Sequence, residues 1–254
     1  MIYILFLIFT FVVLFVAFYQ LQYFMVFKPI YFREDTLDER FEVLSIKAED
    51  GLDLEGVLYQ PETFKKTILF FAGRSLDGVG LIKLLSQKFP DSRVVCFNYR
   101  AYGKNGGKIS EKAIFADSLH ISKIIQKNYG DFYLLGFSLG SSVSSYVASK
   151  HKCLGVILVG VYDSVAEIVK TRFGINLSWI LRYKFDNTKF VSKIDTPTYI
   201  YVSKMDETTY IQNSRNLKSY VKNLALYKEL DNLTHKELFW SDEVINSINN
   251  EVLI

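Results

Sequence analysis

Two regimes of hydrophobic patterning divide the chain. Residues 1–27, MIYILFLIFTFVVLFVAFYQLQYFMVF, contain no Asp, Glu, Lys or Arg and are apolar on every helical face. A helix crosses the hydrocarbon core with about 20 such residues. The segment is therefore expected to be an uncleaved transmembrane anchor. Gln20 and Gln22 then fall near its far end, and Tyr19, Tyr23 and Phe24 form an aromatic belt. No cation precedes Lys28 and no small-x-small site follows the apolar core, which disfavours a cleaved signal peptide. Lys28 and Arg33 behind the span put the larger region on the cytoplasmic side by the positive-inside tendency.

From residue 28 to 254 the pattern becomes that of one folded domain. Residues 41–49 and 52–59 alternate around Asp50-Gly51, the signature of an antiparallel hairpin. Continuous apolar runs follow at 67–72, 93–98, 132–137, 154–159, 198–202 and 225–230. Such runs suit parallel strands covered on both faces. Helical periodicity lies between most of them, at 78–89, 110–128, 139–149, 210–222 and 241–253. The expected fold is α/β: a mostly parallel sheet of about eight strands, helices on both faces, with a short cap around 162–187.

Composition narrows the function classes. Half of the residues are hydrophobic and 16% aromatic, enough for a packed core and against disorder. A net charge of +3 is far from the basic footprint of a nucleic-acid binder. Cys96 and Cys153 lie in apolar runs and read as buried, reduced thiols. No Cys/His cluster suggests a metal, and no cofactor motif is present.

Ligands in open α/β sheets sit beyond the carboxyl ends of the strands. After the run 132–135 stands Gly136-Phe137-Ser138-Leu139-Gly140, a G-x-S-x-G between strand and helix. The serine needs a sharp turn, and small flanking residues let strand and helix approach. A serine hydroxyl needs a base. Of three histidines, His120 falls inside a helix, His151 follows one and is placed to cap its negative end, and His235 sits in a loop after the last strand. His235 is the candidate base. The acid that orients it is expected at Asp206, at the end of the 198–202 strand, with Asp163 the runner-up and Glu207 and Asp231 nearby. For an oxyanion, the backbone N–H groups of Leu139 and Arg74 are the expected donors, with Gly73 giving the loop its freedom. The Arg74 side chain is read as solvated, with an anionic substrate group as the other option.

These residues resemble a known group, the small, often membrane-tethered serine hydrolases of the α/β-hydrolase superfamily, in its prolyl-oligopeptidase-like and lipid-hydrolysing branch. Four segments carry the resemblance: Leu69-Phe70-Phe71-Ala72-Gly73-Arg74, Asn98-Tyr99-Arg100-Ala101-Tyr102-Gly103 with Asp117 downstream, the serine turn, and the pair Lys204-Met205-Asp206-Glu207 and Thr234-His235-Lys236-Glu237. Ala72 stands where the family usually has a histidine, Asn98 where it has aspartate and Ala101 where it has glycine. The resemblance implies a serine hydrolase acting on a carboxylic ester or thioester, lipid-like ones among them, with Ser138, Asp206 and His235 as its triad and no cofactor. The other reading is a catalytically silent, membrane-tethered binding or scaffold protein.

Overall fold

The computed structural model describes residues 1–31 and 37–254; Arg33, one of the two flanking cations, lies outside them. Helix α1, Ile2–Val26, has 25 residues and is long and apolar enough to cross a membrane by length and composition. It is not an independent appendage. Its C-cap residue Phe27 is buried and packs edge-on against Tyr183 at 4.7 Å.

The hairpin forms as β1 (Phe41–Lys47) and β2 (Asp53–Tyr59), with Gly51 in the left-handed turn at φ 86°. The apolar runs form β3 (Lys66–Phe71), β4 (Ser92–Phe97), β5 (Tyr133–Phe137), β6 (Gly155–Val159), β7 (Thr198–Ser203) and β8 (Leu224–Leu230). All eight join one sheet in the order β1-β2-β4-β3-β5-β6-β7-β8. The first two pairings, β1 with β2 and β2 with β4, are antiparallel; the rest are parallel. Strand β6 is buried at every position, which is why its sequence shows no alternation.

Apolar layers cover both faces. One includes Leu134, Val143, Leu158 and Ile114; the other includes Phe70, Leu135, Val159 and Phe239. Helix α3, Glu111–Tyr129, begins where Ser110 Oγ accepts the Ala113 N–H at 3.1 Å and ends at Gly130 with φ 83°. Helix α2, Ile82–Lys88, is shorter than the periodicity suggests: residues 78–81 form a turn, in which Gly80 N–H donates to Asp77 Oδ1 at 2.9 Å, and the helix begins after it. Helix α4, Leu139–Ala148, follows β5 at once. Behind it, His151 bonds Val147 O only through its backbone N–H, and its ring Nε2 is buried without a partner. The expected capping by that side chain is therefore not made. His120 sits in α3 and meets Lys47 O at 3.1 Å. Both cysteines are free and buried, and burial pushes the Cys153 thiol up to about 11.

Arg100 ties the β4 end to α3 and to the hairpin turn. It forks onto Asp117 at 2.6 and 2.8 Å and reaches Asp50 at 2.5 and 3.0 Å. Residues 162–187 leave the sheet after β6 as helix α5, Val165–Phe173, and an irregular return. The ends of this excursion are pinned together: Asn187 Nδ2 donates to Tyr162 O at 2.7 Å, and Asn187 N–H to Asp163 O at 2.7 Å. Helix α6 (Thr188–Val191) leads into β7, and α7 (Ile211–Lys218) joins β7 to β8. The chain closes with α8 (His235–Trp240), α9 (Asp242–Ser247) and a π-helical turn at Ile248–Val252.

Candidate active site

Ser138 occupies the turn between β5 and α4 at φ 54°, ψ −116°. A side-chain-bearing residue reaches positive φ only at a cost of roughly 1–3 kcal/mol, met by its surroundings. The surroundings here are two contacts without side chains. A Cβ on Gly136 would stand 2.3 Å from Gly140 O, and a Cβ on Gly140 would stand 1.9 Å from Phe71 O. Strand β3, strand β5 and helix α4 therefore meet backbone to backbone under the serine. The Ser138 N–H is fixed to Val159 O at 2.9 Å. Its side chain is nearly buried and, among the described residues, has no hydrogen-bond partner for Oγ.

His235 is the first residue of α8, not a loop residue as the sequence suggests. Thr234 and Glu237 form a reciprocal capping box there, which fixes the helix start. The imidazole lies over the end of β6. A Cβ on Gly160 would be 3.0 Å from its Cε1, and Gly160 itself has φ 61°. The Phe137 ring stacks on the imidazole at 4.9 Å between centroids. Ser138 and His235 thus converge on the same strand end, the first through Val159 and the second through Gly160. No hydrogen bond joins Ser138 Oγ to the imidazole; in ligand-free sites such contacts are commonly loose and tighten with substrate.

Asp206 meets the imidazole directly: Oδ2 lies 2.6 Å from His235 Nδ1. The carboxylate also accepts N–H groups from Thr208 and Thr209 at 2.8 and 2.9 Å and the Thr209 hydroxyl at 2.7 Å. Burial pushes this carboxyl up, but the bonds from His235 and Thr209 outweigh it and hold it below its ordinary value. The acid and histidine segments are tied by Ser203 Oγ to Leu233 O at 2.5 Å and Lys204 N–H to Leu230 O at 2.9 Å.

Of the other acids, Glu207 lines the cavity that holds Ser138, and two are engaged elsewhere. Asp163 is buried and accepts from Asn213 and Asn216 side chains at 2.9 and 2.8 Å; burial raises its pKa. Asp231 pairs with Lys204 at the surface. Among the described residues, no group of three His, Cys, Asp or Glu side chains could hold a metal ion.

A carboxyl with a depressed folded pKa stabilises the fold fully above its unfolded pKa, near 3.9, and loses that contribution as pH falls through the folded value. Thermal melts from pH 6 down to pH 2 are therefore expected to fall more steeply for the wild type than for Asp206→Asn. Parallel curves would mean that the carboxylate is not held as described.

The backbone N–H groups of Leu139 and Arg74 have no acceptor among the described residues, and both residues line the cavity that holds Ser138. The loop carrying Arg74 is braced by tyrosines: Tyr99 OH donates to Ala72 O at 2.9 Å and Tyr102 OH to Arg74 O at 2.5 Å. Gly73 serves close approach, its Cβ position being 3.1 Å from the Phe137 ring, and not positive φ. The Arg74 guanidinium, expected in solvent or on a ligand, donates to Met25 O at the carboxyl end of α1, where a cation complements the helix dipole.

Sequence reasoning missed Gly160, Phe137 and Thr209 as parts of this site. The glycine directly after a buried strand and the hydroxyl residue three places beyond an acid were the available signals. It also missed the role of Gln22. Its Nε2 donates to Ile180 O at 3.1 Å, and its Oε1 accepts the Arg182 N–H at 2.7 Å, so the end of α1 is bonded to the 177–182 segment.

Comparison with known proteins agrees with this architecture. The sequence profile of the alpha/beta hydrolase fold family matches residues 67–174. An uncharacterised membrane protein of Saccharomyces cerevisiae is 30% identical over 147 residues, 53% of this chain and 51% of that protein. An uncharacterised protein of Acanthamoeba polyphaga mimivirus is 25% identical over 153 residues, 54% of this chain and 52% of that protein. These matches span about half the length of each relative. Among solved structures, an esterase of Pyrococcus furiosus superposes with a TM-score of 0.66 at 17% identity, covering 87% of this chain and 94% of that one.

Proposed function

We propose that this chain, which has the α/β-hydrolase fold, is a membrane-anchored serine hydrolase cleaving carboxylic esters, with thioesters open to the same chemistry. The observation that carries this reading is the 2.6 Å bond between His235 Nδ1 and Asp206 Oδ2 beside a serine at positive φ. In the proposed reaction Ser138 Oγ attacks the acyl carbonyl carbon and passes its proton to His235 Nε2. Asp206 holds the tautomer and stabilises the imidazolium. The Leu139 and Arg74 N–H groups receive the oxyanion. His235 then protonates the departing alcohol, and water, deprotonated by the same imidazole, releases the acid from the acyl-enzyme. Residues 1–27 anchor the enzyme, with Lys28 and Arg33 favouring a cytoplasmic catalytic domain.

One observation favours the silent-scaffold reading, the absence of a Ser138 Oγ–His235 bond among the described residues. Turnover of p-nitrophenyl butyrate by the detergent-solubilised full chain decides between them. We expect measurable turnover, a drop in kcat of about 10⁴-fold for Asp206→Asn, and a far smaller drop for Asp163→Asn. The reverse ranking would move the acid role to Asp163. No turnover by the wild type would leave the scaffold.

A further inference from the structure

The cavity at Ser138 is built from two sources, the catalytic domain and the last turns of α1. It measures about 480 Å³, within the usual range for small-molecule sites. Ser138 and Leu139 lie on one wall. Facing them are Val165, Ile168 and Val169 of α5, the return through Leu181, and Phe18, Gln22, Met25 and Val26 of α1. The α1 positions follow i, i+4, i+7, i+8, so they form one face of that helix. Helix α5 has no buried residue despite its apolar side, because that side looks into the cavity.

The placement of this wall relative to a bilayer follows from length. Twenty-five helical residues span roughly 37 Å, against a hydrocarbon core of about 30 Å. The final turn or more of α1 therefore reaches the interface, and that is where the cavity begins. Gln22 and the Arg74 guanidinium fix the helix there. Next to it the tip of the cap leaves large apolar side chains in the open: Phe173 is 54% exposed, Ile175 57% and Trp179 75%. They continue the bare apolar surface of α1, and immersion of both in a membrane removes both from water. Arg182 sits 5.3 Å over the Tyr19 ring, a charged group and an aromatic at the same level, as interfaces favour.

Resting on the esterase reading of Ser138, we propose that α1 is part of the substrate site. The face Phe18–Gln22–Met25–Val26 is one wall of an acyl channel that opens to the bilayer, and the substrate is a long-chain acyl ester resident in the membrane, a lipid ester. Phe18 lies about 10 Å along the helix axis from Met25, so Met25 borders the reacting end and Phe18 the distal end of the chain. Loading from the side spares the acyl chain passage through water, whose cost grows with every methylene.

The test uses the full chain reconstituted in phosphatidylcholine vesicles. Rates are measured for 4-methylumbelliferyl palmitate dissolved in the bilayer and 4-methylumbelliferyl butyrate supplied in buffer. Phe18→Trp narrows the distal end and is expected to lower the palmitate-to-butyrate ratio at least about tenfold, the scale of a pocket's response to chain volume. Phe18→Ala widens it and should not lower the ratio. An unchanged ratio in both variants, or equal loss on both esters, would make α1 only an anchor and overturn the proposal while leaving the esterase reading intact. A wild type that hydrolyses neither ester would overturn the esterase reading and the channel with it.

Discussion

Ser138→Ala is expected to lower kcat for any ester substrate by at least about 10⁴-fold, because in the proposed reaction the acyl bond forms to this hydroxyl. The melting temperature should stay close to that of the wild type. Oγ has no partner to lose among the described residues, and the backbone of the turn is held by the Val159 carbonyl and by the two glycine contacts, none of which alanine disturbs. Ser138→Gly sharpens the expectation. Glycine adopts φ 54° freely, so this variant should be equally inactive yet more stable by about 1 kcal/mol. Loss of activity with unchanged or raised stability separates a chemical role from a structural one. Chemical denaturation beside steady-state kinetics on the same preparations measures both.

Gly140→Ala carries the largest expected effect on stability. The added methyl would lie 1.9 Å from Phe71 O, 2.5 Å from Phe71 C and 2.8 Å from Ala72 O. These are backbone atoms of β3 and of the loop that carries the Arg74 N–H, so no side-chain rotation relieves the clash. Either α4 separates from β3 or the loop shifts. The cost should exceed that of ordinary overpacking, about 1–3 kcal/mol, and residual folded protein should be poor at stabilising an oxyanion. Gly174→Ala provides the contrast. That glycine has φ 71° and open space around it, so the substitution should cost only about 1 kcal/mol and leave the turn intact. Comparable losses for the two variants would contradict the close backbone packing under Ser138.

The contrast between these glycines also shows what was legible in the sequence. Gly136 and Gly140 flank the serine in a pattern whose steric reason is local, and the contacts appear where that reason requires. The strands were equally plain, since β3, β5 and β6 are covered on both faces and apolar residues dominate them at 68–71, 134–137 and 156–159. Helix α8 was not plain. It has six residues, too few for a helical period to show, although Thr234 and Glu237 spelled the capping box that starts it. Gly160 was invisible for a different reason. It matters because an imidazole 75 positions later lies against it, and no local pattern records a contact between strand ends.

The same limit applies with more force to α1. An almost wholly apolar helix reveals no preferred apolar face, so nothing in residues 1–27 distinguishes Phe18, Met25 and Val26, which line the cavity beside Gln22, from the apolar residues bare to the surroundings. Gln22 was read as a residue near the water boundary. The structure gives it two hydrogen bonds to the 177–182 segment, each worth about 1 kcal/mol net, and thereby ties α1 to the lip of the candidate active site.

Covalent labelling tests the central assignment most directly. The full chain, purified in detergent, is incubated with a fluorophosphonate, and the modified residue is located by peptide mass spectrometry. The account predicts a single phosphonyl adduct on the peptide containing Ser138, absent in Ser138→Ala and formed much more slowly in His235→Ala. No adduct on the native protein, or an adduct that persists when Ser138 is alanine, would contradict it.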